Sequence, residues 1–194
     1  MNRRDLVRSG VAGAGGLIVL GRLAQPVEAA LVATDDELAY ANFGLAAELL
    51  LDDFWVRTGA AGVFAGAWAG EQAAGVRAAR EHVGALSDLL SSAGQTAAVA
   101  EDFSFSWPAG AFARRSAAAK IGGEIARAAA GAYLSAVAAV STQSYRVLYG
   151  ALAASLSQQI AVLSRASGRR GIGNSFPASL ELEPASVALD RYFG

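Results

Sequence analysis

Thr34-Asp35-Asp36-Glu37-Leu38, followed by Ala41, Leu45 and Leu49 at spacings of three and four, is the stretch on which the fold turns. A threonine with a glutamate three residues on is a capping box, and three acids in the first turn complement the positive end of the helix dipole. The predicted helix continues through Phe54 and Val56 to Arg57-Thr58 and stops at Gly59. The same period returns further along the chain. A second helix runs from about Glu71 to Leu90 with Val76, Val83, Leu86 and Leu90 on one stripe. A third runs from about Ala111 to Val140 through Phe112, Ile121, Ile125, Tyr133, Leu134 and Val137, and a fourth from about Thr142 to Ala166 through Tyr145, Leu148, Leu152, Leu156, Ile160 and Leu163. Between the second and third, Phe103, Phe105, Trp107 and Pro108 are too broken by Ser and Pro for a helix and read as a crossover loop. Past Pro177 and Pro184, Val187, Leu189, Tyr192 and Phe193 form a short amphipathic C-terminal helix that should dock on the rest. Four long helices with one long and two short connections predict an all-α, up-down-down-up four-helix bundle.

The 194 residues are 54% hydrophobic with 16 basic against 17 acidic side chains, which suits one compact domain and excludes a disordered chain. With that balance, nucleic acid is not an expected partner. Absence of Cys excludes disulfides, thiol catalysis and thiolate metal sites, and a single histidine, His82, excludes a His-rich one. At the N-terminus, Asn2-Arg3-Arg4-Asp5-Leu6-Val7-Arg8 precedes an uncharged Gly/Ala-rich run to Gly21, with small residues at Val27-Glu28-Ala29 for a peptidase. Residues 1–30 therefore read as a signal that resembles the twin-arginine type, and residues 31–194 as the bundle. Val11 to Leu20 is short of the roughly 20 apolar residues of a membrane span. Removing the signal's Arg3, Arg4, Arg8 and Arg22 with Asp5 and Glu28 leaves 12 basic against 15 acidic residues. The expectation is a soluble, mildly acidic domain, periplasmic or extracellular, touching membrane only through a retained signal.

Several pieces of the chain then carry a resemblance. Asn42-Phe43-Gly44-Leu45-Ala46-Ala47-Glu48 precedes the aromatic pair Phe54-Trp55, and His82-Val83-Gly84-Ala85-Leu86 lies in the second helix. Asp102-Phe103, Phe112, Glu124 and Ala132-Tyr133-Leu134 follow, then Ser175-Phe176-Pro177 and Leu189-Asp190-Arg191. In order and spacing they resemble the secreted ferritin-like domain proteins from about Asp35 to Phe193. The resemblance implies a bundle core in which two helices each give a Glu and two each give a Glu-x-x-His to a metal centre. Of those positions Glu48, His82 and Glu124 keep a ligand type, whereas Ala79 stands where a bridging Glu belongs and Leu156 and Gln159 replace the second pair. Hard divalent ions want oxygen ligands in number, so no di-iron centre and no cofactor is expected. Asp52, one turn after Glu48, leaves room for a single Fe, Mn or Zn ion. The competing reading is a buried polar cluster in which His82 bridges Glu48 and Glu124 and Gln159 satisfies the remainder.

Other chemistries lack their residues. There is no Gly-x-Ser-x-Gly, and the glycines Gly10, Gly13, Gly15 and Gly16 follow no strand. Phe105 and Trp107 are candidates for a partner surface, or else anchors of their loop. Gly123 and Gly131 allow close helix approach, in packing or in a homo-oligomer. The functional expectation is a non-catalytic exported binding or structural subunit with a protein partner or a second copy. The alternative is a metal-dependent oxidoreductase or metal-storage protein using Glu48, His82, Glu124 and Asp52.

Overall fold

The computed structural model describes residues 34–171 and 178–194. The paired Arg3-Arg4, the rest of the signal and Ser175-Phe176-Pro177 lie outside the described residues. The fold is all-α. Four long helices, α1 (Asp35–Ala60), α2 (Ala69–Ser92), α3 (Arg115–Ala139) and α4 (Gln143–Ala166), form a bundle, and a short α5 (Leu182–Leu189) follows. Among the described residues the only strand-like pairing is an isolated antiparallel bridge between Phe105 and Phe193.

The capping box is present: Thr34 Oγ1 accepts from the Glu37 amide, and Glu37 Oε2 accepts from the Thr34 amide at 2.9 Å. Two boundaries differ from those predicted. α1 passes through Gly59 to Ala60. α3 starts at Arg115 and not near Ala111, because successive turns at Pro108 and Gly110 (φ 74°) take up the intervening residues. Val56, predicted on the apolar stripe, is 43% exposed, since it lies two residues and about 200° round the helix from Phe54.

α1 packs on α2 and on α3, and α4 packs on α3 with a lighter contact to α2. α5 lies against α3, with its own Leu189 and the following Tyr192 buried. The seams of α1 with α3 and with α2 pair large with small. Phe54 and Trp55 are fully buried, and a Cβ added at Gly122 or Gly75 would land inside the Phe54 ring or the Trp55 indole respectively. Hydrogen on those Cα atoms is what lets the rings reach the axis.

Glu37 fixes the far end of the bundle. It is 1% exposed, and its Oε1 accepts from the Ser141 amide, the Ser141 hydroxyl and the Thr142 amide at 2.9–3.1 Å. The first turn of α1 is thereby tied to the turn between α3 and α4. Burial pushes the Glu37 carboxyl upward, but these donors outweigh it and hold it below the ordinary 4.5. A lowered folded pKa means the stability it supplies is present above the unfolded pKa and lost as pH falls through the folded one.

Glu37→Gln should therefore cost about 1–3 kcal/mol at neutral pH and reduce the loss of stability on acidification, read by urea titration across pH 3–7. Gly75→Ala should cost about 1–3 kcal/mol, roughly 2–10 °C in Tm, because neither the indole nor the helix backbone can retreat. An unchanged melt would mean that Trp55 has another rotamer available.

Candidate functional site

The buried polar centre is built from α1, α2 and α3. Glu48 is wholly buried on α1, and its Oε1 accepts from the Tyr133 hydroxyl of α3 at 3.1 Å. Its Oε2 lies 3.1 Å from His82 Nδ1 of α2, as an ion pair when the imidazole is protonated. His82 is 9% exposed. Burial pushes the imidazole down, but the Glu48 carboxylate beside it, helped by Glu81, more than reverses this and leaves its pKa above the ordinary 6.5. Burial pushes the Tyr133 hydroxyl well above 10, and the Glu48 charge adds to that, so Tyr133 stays a neutral donor. Behind it Tyr149 stacks at 5.9 Å and 20°, and its hydroxyl donates to the Glu37 carbonyl at 2.9 Å.

The other candidates go elsewhere. Glu124 does not join Glu48 and His82. It pairs with Arg191 at 2.6 Å, beside the Tyr192 hydroxyl. The reason is rotational: nine residues separate Glu124 from Tyr133, about two and a half turns, so the two point to opposite sides of α3. Asp52 follows Glu48 on α1 but turns outward to Arg80 at 3.0 Å. Ala79 and Leu156 are fully buried apolar positions. Gln159 is buried, and its Oε1 accepts from the Trp55 indole at 3.0 Å while its Nε2 has no partner among the described residues. Among those residues no three His, Asp or Glu side chains converge on one point.

A cleft of about 270 Å³ opens between α2 and α4, where the bundle is most lightly packed. Trp55, Gly75, Glu81 and Gln159 line it; Glu48 and His82 do not. Phe105 and Trp107 are half-buried in the chain's own contacts. Phe105 meets Phe103 and Phe193, and Trp107 meets Phe54, Phe112 and Tyr192 while its indole donates to Asp53 at 2.8 Å.

Sequence reasoning missed Tyr133 as the partner of Glu48 and Trp55 as the partner of Gln159. A signal existed: both carry a polar handle on an apolar stripe, and such handles find a partner when buried.

No family model matches the chain, and no curated protein matches it.

His82 is the chain's one histidine, so a pH test is clean. A folded pKa above the unfolded value means stabilisation that is full below the unfolded pKa and lost as pH rises through the folded one. The urea midpoint should therefore fall with rising pH above about 6.5, and His82→Gln should flatten that limb. An identical slope in the variant would show that the Glu48–His82 attraction is not felt.

Proposed function

We propose that the chain is an exported ferritin-like bundle, in the up-down-down-up order, that has given up its di-iron centre and serves as a non-catalytic binding or structural subunit. Contacts at both ends of the helices support that order. At one end the Trp68 ring, just before α2, is met by Arg115 from the start of α3 and Arg165 from the end of α4. At the other, Glu37 from the start of α1 meets the α3–α4 turn, and Asn42 donates to Gln95 after α2 at 3.0 Å. The 22 residues between α2 and α3, 93–114, therefore run the length of the bundle.

The observation that carries the functional reading is the closure of the Glu48–His82 pair by a phenol. Where two metal ions would need bridging carboxylates, Glu48 meets only the neutral Tyr133 hydroxyl and His82, with Ala79 and Leu156 filling the remaining space. One carboxylate and one imidazole cannot compensate the charge of two buried cations. The donor set does not fit a di-iron centre, and no step is derived through one.

The test is elemental analysis of the full chain, purified without added metal and again after reconstitution with iron, manganese and zinc, beside His82→Ala. The expected result is no stoichiometric metal in either protein, with the variant changed only in stability. One equivalent bound by the wild type and lost in His82→Ala would overturn the reading in favour of a mononuclear site on Glu48 and His82.

A further inference from the structure

The end of the bundle where α1 finishes and α2 begins differs in character from the rest of the molecule. Three segments meet there: 59–71, 108–116 and 165–171. The first is an uncharged apolar turn, Gly59-Ala60-Ala61-Gly62-Val63-Phe64-Ala65-Gly66-Ala67-Trp68. Ala60, Ala61, Gly62, Ala65, Gly66 and Ala67 are exposed on it above the buried Phe64. Around this turn stand five arginines, Arg114, Arg115, Arg165, Arg169 and Arg170, all exposed, against one acid on the three segments, Glu71. The guanidiniums of Arg115 and Arg165 lie 5.1 and 6.0 Å from the Trp68 ring centre, which fixes the two charges at the edge of the turn. None of the five makes an ion pair among the described residues. Elsewhere the described residues carry 7 basic against 14 acidic side chains, so the excess of positive charge lies at this end.

We propose that this end is a docking face for an anionic phospholipid bilayer. An apolar tip within a ring of arginines, with a tryptophan among them, suits the boundary between headgroups and acyl chains, where the charges meet lipid phosphates and the tip enters the apolar layer. A soluble polyanion would use the arginines but gain nothing from the tip, and the acidic sides of the bundle would repel a chain that wrapped them.

The test is co-sedimentation of the full chain with vesicles of phosphatidylcholine containing phosphatidylglycerol, and with vesicles of phosphatidylcholine alone. Wild type should bind the first, release as salt is raised, and leave the second unbound. Arg114→Gln/Arg169→Gln/Arg170→Gln should weaken binding by about tenfold or more, whereas Arg77→Gln/Arg127→Gln on the sides of the bundle should not. The N-terminal arginines are common to all these proteins, so a difference belongs to the face. Ala61→Trp should tighten vesicle binding without changing retention on a sulfated polysaccharide. The proposal is overturned if wild type ignores anionic vesicles, if the triple variant binds as wild type does, or if the polysaccharide is held as tightly and Ala61→Trp has no effect on vesicles.

Discussion

A buried carboxylate at the start of α1 sets the frame on which the other helices are arranged. Glu37 could not be buried without donors for its oxygens, and amide and hydroxyl groups of Thr34, Ser141 and Thr142 supply them. Satisfying one charge thus locks the start of α1 onto the α3–α4 turn, about 100 residues away in sequence. Arg146 closes that turn from the other side by donating to the carbonyls of Val140 and Ser141. With this end pinned, the rotation of α1 is no longer free, and its next inward positions are determined.

From that anchor a polar seam runs inward. The Glu37 carbonyl accepts from Tyr149, Tyr149 stacks on Tyr133, Tyr133 donates to Glu48, and Glu48 faces His82. Every link ties a different pair of helices, so the seam specifies register where α3 buries little besides alanine and glycine. Such a core needs it. Ala118, Ala119, Ala126, Ala129 and Ala130 of α3 are small and alike, and shape alone would leave α3 able to slide along α1. The large residues that do mark position, Phe54 and Trp55, sit further along, over Gly122 and Gly75.

The helices were legible because their signals are local: the Thr34–Glu37 box and the spacing of three and four are properties of short stretches. The bundle class followed from those lengths. What was not legible is which face of a helix meets which neighbour. Glu124 lies in the predicted third helix, as Tyr133 does, but only the rotation between them shows that one faces the core and the other Arg191. Asp52 likewise sits one turn from Glu48, yet Arg80 on α2 draws it outward, a contact that needs the packed pair to be seen. The aromatic loop was the hardest case. Phe105 and Trp107 find their partners in Phe193 and Tyr192 at the far end of the sequence, and no local pattern encodes that.

If the chain descends from a metal-binding bundle, as proposed, the Glu48–His82 pair has a physical logic. Replacing a bridging carboxylate by Ala79 removes a buried charge together with its need for a cation, so such a change is tolerated as soon as metal is no longer required. Glu48 and His82 are bound by a different condition. Each is the other's compensation, so losing either alone would leave a buried polar group unpaired, at a cost that breaking a buried pair makes severe. The pair would have to leave in one step, and Tyr133, which already satisfies one Glu48 oxygen, removes much of the pressure for it to go. A centre decaying under those rules loses its outlying ligands first and stalls at one coupled pair.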